Sequence, residues 1–284
     1  MILPLLTCKA TKGDLIKAIP FAAACALSSL AAKVFDDVED KDSDTALYRK
    51  IGQAQAINVG TALIFIAQIA LLRLQGLTGD RALLNICLDF NCTLLRMCKG
   101  QHLDLSSQDG GLSLERYWQI TGSKSGHFFA QVAQGGAALG TLAVHKLKLF
   151  EKFGYNLGML IQVADDFKDI CESKGKSDLT SKRNTLPIIY GLTVDHPRRA
   201  RLERLLSEAY NNPKAEEEAR RILFEIGMPQ YMIITAETFR AKARNALKAA
   251  VKPGSLVNEG LSSLLDKVLP FPAFEDSQLS KSNL

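Results

Sequence analysis

The 284-residue sequence lacks the features that mark several common protein classes. Its six cysteines form no C-x-x-C pair and no zinc-ligand spacing. Its 35 Lys and Arg residues exceed its 30 Asp and Glu residues by only five, and they form no basic block. We therefore expect no nucleic-acid partner. The start, MILPLLTCKATK, lacks the basic residues that open a secretory signal.

The cysteines lie among apolar neighbours, as Cys25, Cys87 and Cys171 illustrate. Such positions predict small core residues in a reducing compartment. Together with the absence of a secretory signal, this pattern predicts a cytoplasmic location.

Stretches with strand-like alternation are also scarce. Ala, Leu, Lys, Glu and Arg dominate, and apolar residues recur at spacings of three and four, which favours helices. The longest apolar run, AINVGTALIFIAQIALL at 56–72, approaches the length of a membrane span. Because Asn58, Gly60 and Gln68 interrupt it, we interpret it as a buried central helix and predict no transmembrane segment.

The periodicity predicts one large all-α domain over residues 1–271, followed by a polar tail at 272–284. No stretch resembles an interdomain linker. The predicted helices cover 13–35, 51–75, 80–101, 113–121, 125–145, 147–172, 184–193, 198–209, 214–227, 229–251 and 257–268, with Gly-, Pro- and Asn-rich breaks between several of them.

Two stretches repeat the pattern Asp-Asp-x-x-Asp after apolar runs: VFDDVED at 34–40 and VADDFKD at 163–169. Positions i, i+1 and i+4 of a helix lie on roughly one face. One such cluster is equally typical of a solvated acidic surface, whereas two copies beside apolar residues favour a shared role. The predicted clusters are Asp36, Asp37 and Asp40, and Asp165, Asp166 and Asp169.

Clustered carboxylates repel one another unless a cation joins them. Magnesium prefers oxygen ligands and is usually shared between one or two carboxylates and a substrate phosphate. The two clusters therefore predict catalytic carboxylates that hold Mg²⁺, with three ions expected, and through them a diphosphate.

Basic residues near the second cluster are candidates for contacts with the same anion. Lys124 lies in GSKSG at the start of a helix, and Lys176, Lys182 and Arg183 lie in the loop 173–184. Each alone is typical of a surface charge. Together they predict a diphosphate-binding loop that orders over bound ligand.

These stretches resemble the trans-isoprenyl diphosphate synthase, or polyprenyl synthetase, family. DDVED is similar to the family's first aspartate-rich motif, and FGYNLGMLIQVADDFKD is similar to the second, with Gln162 in the expected diphosphate-binding place. KGQHLDL, the pair Lys124-Ser125 and GKSDLTSKRNTLPIIYGL are similar to further family segments. The resemblance covers nearly the whole chain. It implies an isoprenoid synthase fold with a central cavity, an allylic prenyl diphosphate substrate and a homodimer.

The sequence departs from the family where isopentenyl diphosphate is expected to bind. It begins after the family's Gly-Lys-Arg segment. Ser29 replaces a His, and Thr45-Ala46 stand where the family has two arginines, with Arg49 and Lys50 following later.

These losses predict a class I terpene synthase, which ionises a prenyl diphosphate of C15–C20 or longer and cyclises or quenches the cation. The alternative is a prenyltransferase, either a chain-elongating polyprenyl or geranylgeranyl diphosphate synthase or an enzyme with another acceptor. A non-catalytic partner subunit is a third possibility, which the intact acidic motifs disfavour.

The resemblance also indicates part of the pocket. Ala31 and Ala32 occupy positions where bulky residues block long chains in the family, so an open pocket floor is expected. Aromatic faces stabilise cations, although a core role is the plainer interpretation of any one of them. The aromatic pocket candidates are Phe35, Phe65, Phe90, Phe128 and its neighbour Phe129.

Overall fold

The computed structural model describes residues 1–41, 45–106, 113–172, 179, 185–209 and 212–268. This part of the chain contains helices and no β-strand, which confirms the all-α prediction. The helices are α1 Leu3–Ala10, α2 Leu15–Asp40, α3 Leu47–Ile51, α4 Gln53–Leu72, α5 Asp80–Leu105, α6 Leu114–Thr121, α7 His127–Ala138, α8 Val144–Glu172, α9 Leu186–Thr193, α10 Arg199–Glu208, α11 Pro213–Glu225, α12 Met228–Ala250 and α13 Leu256–Lys267. A π-helical turn, Gly122–Gly126, continues α6 into α7.

The eleven predicted helices are present, but two helices were missed and several ends differ. The missed helices, α1 and α3, are only 8 and 5 residues long, so their apolar patterns are short. Helix α2 continues past residue 35 and includes the whole first motif, ending where Lys41 adopts a left-handed φ of 57°. Helix α7 ends at Ala138, before the predicted residue 145, and Thr11 Oγ1 donates a hydrogen bond to the carbonyl of Ala137 in its last turn (3.0 Å).

Helix α8 positions the second motif because its first half is anchored in the core. It packs against α7 and α12, and its fully buried side chains include Phe150, Phe153 and Leu160. The acidic motif follows this buried stretch directly. A core helix thus fixes Asp165 and Asp166 at one end of the bundle.

Helix α4 corrects the prediction of a buried central helix at 56–72. It packs against α2, and a Cβ at Gly60 would lie 2.8 Å from the Phe35 ring. Its opposite side is exposed, since an evenly apolar sequence does not reveal which face the chain itself covers. The exposed residues continue onto α5 and form what we call the α4–α5 apolar face: Ile57, Phe65, Ile66, Ile69, Leu72, Leu84, Leu88 and Leu95.

Two helices, α2 and α4, are long and apolar enough to cross a membrane by length and composition alone, a test that core helices of soluble proteins also pass. Cys25 is buried as predicted, whereas Cys87 is half-buried and Cys171 is exposed. The core prediction is therefore wrong for Cys171. The predicted tail, 272–284, lies outside the described residues.

Candidate active site

A cavity of about 410 Å³ lies where α2, α5, α6, α7 and α8 approach one another. Both acidic motifs contribute to its wall, through Asp36 of the first and Asp165 and Asp166 of the second. The rest of the wall is mixed, with an apolar part formed by Ala32, Met97, Ile120, Phe128 and Phe129. The cavity therefore combines acidic groups with a surface suited to a hydrocarbon chain.

The π-helical turn presents Lys124 to this cavity. Such turns insert an extra residue into a helix and are frequent at functional sites. The glycines beside it are required by close packing: a Cβ at Gly126 would lie 2.7 Å from Tyr155 Cε2, and one at Gly100 would lie 2.9 Å from Lys124 Cγ. The turn and the start of α7 are thereby held tightly against α5 and α8.

Lys124 joins the first motif to α5. Its Nζ lies 2.9 Å from Asp104 Oδ2 and 3.3 Å from Asp36 Oδ1. Burial lowers the pKa of Lys124, but Asp36, Asp104 and Asp40 outweigh this effect and leave the pKa above its ordinary value. Lys124 is thus a firmly protonated cation in the cavity wall.

The other residues of the first motif are arranged differently. Asp37 is buried, and its Oδ1 accepts a hydrogen bond from Lys33 Nζ, one turn earlier on α2 (3.2 Å). Asp40 is half-buried and close enough to Lys124 to influence its pKa. Lys33 itself lines the cavity, and its side chain is 68% exposed. It is therefore a second cavity lysine, one that is open to a ligand.

The two adjacent aspartates of the second motif have contrasting environments. Asp166 is buried, and its carboxylate accepts hydrogen bonds from Tyr117 Oη (2.7 Å), Gln162 Nε2 (2.9 Å) and Leu186 N (3.0 Å). Burial raises its pKa, these three donors oppose the rise, and the pKa ends above its ordinary value.

Asp165 is open to the cavity and makes no hydrogen bond or salt bridge with the described residues. The surrounding walls and then Asp166 raise the pKa of Asp165 to about 6, against a smaller opposing effect of Lys168. Asp169, one turn later, is half-buried and contributes to the raised pKa of Asp166. Burial and a neighbouring carboxylate thus both disfavour the ionised form of Asp165 in the metal-free protein.

These environments fit a divalent cation shared with a ligand. Within the described ranges, no three His, Cys, Asp or Glu side chains gather into a ready-made metal site. Magnesium seldom needs one, because substrate phosphates and water complete its shell. Asp36 and Asp165 offer one open carboxylate from each motif, and the uncompensated charge at Asp165 is the condition that a bound cation would relieve.

The structure distributes the other predicted residues unevenly. Gln162 lines the cavity, where its Oε1 accepts a hydrogen bond from Ser125 Oγ (2.9 Å). Ala32, Phe128 and Phe129 also line it. Ala31 is fully buried, and the Phe35 ring packs on Gly60.

Four pocket predictions are not supported, because the cavity lining includes none of Ala31, Phe35, Phe65 and Phe90. Phe90 is a core residue in edge contact with Phe21 (centroids 6.3 Å apart). Phe65 is 64% exposed on α4, because this residue lies on the outer side of the helix. Neither residue contributes to the cavity lining. Lys176, Lys182, Arg183 and the predicted ordering of loop 173–184 lie outside the described residues.

Sequence reasoning missed five polar groups of the cavity wall: Lys33, Asp104, Tyr117, Thr121 and Thr185. Lys33 carried a readable signal, since it stands four residues before Asp37 on one helix. Thr185 Oγ1 is buried without a hydrogen-bond partner among the described residues. Tyr117 reaches Asp166 across 49 positions, a contact that no local pattern indicates.

An all-α bundle with paired acidic motifs and a lysine around a partly apolar cavity suits a ligand that joins an anionic group to a hydrocarbon chain, as the resemblance to the polyprenyl synthetases implies. Comparison with known proteins gives the family. The family model described as polyprenyl synthetase matches residues 1–225. The chain therefore belongs to the polyprenyl synthetase family, as its resemblance indicated, and is an enzyme of the prenyl diphosphate synthase type.

Two relatives illustrate the range of the family. The chain is 26% identical to a short chain isoprenyl diphosphate synthase of Methanothermobacter thermautotrophicus, over 94% of this chain and 84% of that protein. It is 24% identical to the tryptophan prenyltransferase ComQ of Bacillus subtilis, over 77% of this chain and 71% of that protein.

Solved structures agree on the fold. A polyprenyl synthase from Caulobacter crescentus, complexed with calcium and isoprenyl diphosphate, superposes with a TM-score of 0.85 at 25% identity, covering 96% of this chain and 84% of that chain. A geranylgeranyl pyrophosphate synthetase from Pyrococcus horikoshii gives a TM-score of 0.86 at 22% identity, over 95% and 86% of the two chains. The isoprenoid synthase fold is thereby confirmed.

The comparisons overturn the predicted terpene synthase function. The relatives are named as isoprenyl or geranylgeranyl diphosphate synthases or as a prenyltransferase, which supports the alternative and not a lyase. The prediction was wrong because it assumed that, without the family's basic motif residues, the cavity had no positive charge for isopentenyl diphosphate. A comparison of motif positions alone does not consider a basic side chain elsewhere on the same wall, such as Lys33.

Proposed function

We propose that this protein is a prenyltransferase that takes an allylic prenyl diphosphate as donor and isopentenyl diphosphate as acceptor. One observation carries the proposal: Asp36, Asp165 and Lys124, from three different elements, line one cavity that continues into an apolar wall. The names of the relatives support chain elongation as the reaction.

The proposed reaction breaks the bond between C1 of the donor and its diphosphate oxygen, and the diphosphate leaves with the electron pair. The double bond of the acceptor attacks C1, and the new carbon–carbon bond leaves a cation on the acceptor. A carbon beside that cation then loses a proton to the released diphosphate, and its C–H electron pair forms a new double bond. Lys124 stabilises the leaving group by charge-assisted hydrogen bonding. Phe128 and Phe129 exclude water and turn aromatic surface toward the cation.

Magnesium bound at the aspartates would neutralise the donor diphosphate and assist its departure. The proposed ligands come from the two motifs, and Asp36 and Asp165 are the two motif aspartates that line the cavity without being buried. Calcium in the complex of the Caulobacter relative supports a divalent cation. The number of ions, three by the family resemblance, belongs to the same proposal.

The acceptor diphosphate requires a cation other than Lys124, because the proposed reaction assigns Lys124 to the leaving diphosphate of the donor. Lys33 is a suitable candidate, because its exposed side chain lies one turn from Ser29 on the same wall of the cavity. We propose that Lys33 provides part of the charge that Ser29 and Thr45-Ala46 do not. The small Ala32 in the wall supports a donor of C15–C20 length.

A second candidate function is prenyl transfer to an acceptor that has no diphosphate. Ser29, a small neutral residue on the cavity wall where the resemblance expects His, favours it, and so does the relative named a tryptophan prenyltransferase. This candidate keeps the donor site and changes only the acceptor.

The two candidates separate in one product assay. The enzyme is incubated with Mg²⁺ and geranyl, farnesyl or geranylgeranyl diphosphate, each with and without radiolabelled isopentenyl diphosphate. Elongation predicts a longer labelled prenyl diphosphate. Binding of the allylic donor without a labelled product, together with transfer to a tryptophan-containing peptide, would replace it with the second candidate. A terpene released from the donor alone would contradict both.

We further propose that the protein acts as a cytoplasmic homodimer joined through the α4–α5 apolar face. Gln68 and Asn91 connect α4 to α5 by reciprocal amide hydrogen bonds of 2.9 and 3.2 Å, so both helices present one joint surface. A second copy is the occupant that the family resemblance implies. Light scattering after size-exclusion chromatography tests this, and a monomer at micromolar concentration would refute it.

A further inference from the structure

The two adjacent aspartates of the second motif share a sequence pattern but not an environment. Asp165 opens to the cavity without a hydrogen bond or salt bridge to the described residues. Asp166 is only 4% exposed and accepts three hydrogen bonds, which come from a tyrosine hydroxyl, a glutamine amide and a backbone N–H. We infer that Asp166 is a positioning residue that fixes Gln162 and the wall of the cavity, and that it is not a metal ligand.

The hydrogen-bond count supports this division. Asp166 Oδ2 accepts from Tyr117 Oη and from Leu186 N, while Oδ1 accepts from Gln162 Nε2. Turning this carboxylate toward a cation would weaken or break these three buried hydrogen bonds. A buried donor without a partner costs about 1–3 kcal/mol, so Asp166 gains little by leaving its present partners.

The contacts of Asp166 show what it positions. Gln162 donates one amide hydrogen to Asp166, and its Oε1 accepts from Ser125 Oγ. The amide plane is therefore fixed, and the second N–H of Gln162 remains available in a side chain that lines the cavity. Tyr117 attaches α6 to α8 at the same point, and Leu186 attaches the start of α9. One carboxylate thus joins three helices around the proposed diphosphate site.

The statement that Asp165 and not Asp166 binds the metal rests on the proposed function, whereas the positioning role of Asp166 does not. A matched pair of variants separates these two statements. Asp165→Asn and Asp166→Asn each remove one charge from neighbouring positions. Binding of Mn²⁺ with inorganic diphosphate is followed by electron paramagnetic resonance. We expect D165N to weaken Mn²⁺ binding more than about tenfold, as the loss of a charged ligand implies, and D166N to change it by less than about threefold.

Thermal stability should rank the two variants in the opposite order to Mn²⁺ binding, and its measurement requires no ligand. D166N should lower the Tm by roughly 5–10 °C, because it disturbs three buried hydrogen bonds, whereas D165N should leave it unchanged or raise it. Trp118 provides a local signal, since it is the only tryptophan and its ring lies 4.8 Å from that of Tyr117. Its fluorescence should shift in D166N and not in D165N.

Steady-state kinetics test whether Asp166 acts through Gln162. In D166N, the KM for the allylic diphosphate should rise about tenfold, while the Mg²⁺ concentration that gives half-maximal rate stays within about twofold. Gln162→Leu should reproduce the KM change with a smaller loss of Tm. If the KM for the allylic diphosphate is unchanged in D166N but raised in Q162L, Asp166 does not act through Gln162.

Tyr117→Phe keeps the inference testable if D166N does not fold. It removes one donor and little volume. We expect a smaller fall in Tm, a Trp118 shift and unchanged Mn²⁺ affinity. Tighter Mn²⁺ binding in Y117F, or a loss of Mn²⁺ binding in D166N equal to that in D165N without a loss of Tm, would show that Asp166 is a ligand. Failure of Mn²⁺ to bind the wild type would instead contradict the proposed function, and the Tm and fluorescence results would still decide whether Asp166 is a positioning residue.

Discussion

Replacing Lys124 with Met tests the site most directly, because it removes the cation that joins α2, α5 and the π-helical turn while keeping a side chain of similar length. Two ion pairs are lost, to Asp104 at 2.9 Å and to Asp36 at 3.3 Å. Their carboxylates are 44% and 41% exposed and can turn toward water. Solvent screening therefore limits each loss to about 0.5–1 kcal/mol.

The expected destabilisation of Lys124→Met is about 1–2 kcal/mol in total. For a domain of this size, that lowers the Tm by roughly 3–6 °C, which calorimetry or circular dichroism measures. The effect on rate should be far larger. Loss of a preorganised donor to the departing diphosphate typically costs about 10²–10³ in kcat, so K124M should release diphosphate at no more than about 1% of the normal rate.

Lys146→Met is the matched control, since Lys146 is exposed on α8. It should keep both Tm and kcat. A double-mutant cycle with Asp104→Asn isolates the ion pair, and the loss caused by K124M should shrink when Asp104 is already neutral. The reasoning is refuted if K124M keeps kcat within about threefold, or if the cycle gives no coupling.

Further predictions concern pH, the acceptor and the α4–α5 apolar face. The raised pKa of Asp165, about 6, means that its ionisation weakens the metal-free fold as pH rises from about 4 to 6. Asp165→Asn should therefore raise the metal-free Tm at pH 7.5 and lose that advantage at pH 4, and thermal unfolding at the two values checks the sign. Lys33→Met should raise the KM for isopentenyl diphosphate about tenfold with the KM for the donor unchanged; equal changes in both constants would reject Lys33 as an acceptor contact. Ser29→His should lower the KM for isopentenyl diphosphate, and a higher value would refute its place in that site. Phe65→Arg should produce monomers in light scattering, whereas an intact dimer would exclude Phe65 from the interface.

The predictable parts of this fold are those in which local pattern and tertiary structure agree. The longer helices follow from apolar spacing. The second acidic motif falls within the predicted helix 147–172, whereas the predicted helix 13–35 ended just before the first motif, which α2 includes. The short α1 escaped detection since it is held by tertiary contacts, such as that between Thr11 and Ala137. Burial of α4 was predicted wrongly because apolar composition does not tell which partner covers a surface.

The candidate site was only partly predictable for a similar reason. Asp36 and Asp165 follow from spacing and charge. The different environment of Asp166 depends on Tyr117 and Leu186, which lie 49 and 20 positions away. A repeated motif suggests that identical residues have identical roles. Hydrogen-bond donors that are distant in sequence nevertheless give neighbouring carboxylates different environments.

The π-helical turn at Gly122–Gly126 also constrains how this chain can change length. One residue of an ordinary helix corresponds to a rotation of about 100°. Deleting one residue of the turn would regularise the helix and rotate all of α7 by about that angle relative to α6. The side chains that α7 now buries, including Phe128 and Val132, would turn away from the core. Insertions and deletions should therefore be tolerated far less at this turn than an irregular, glycine-rich segment would suggest.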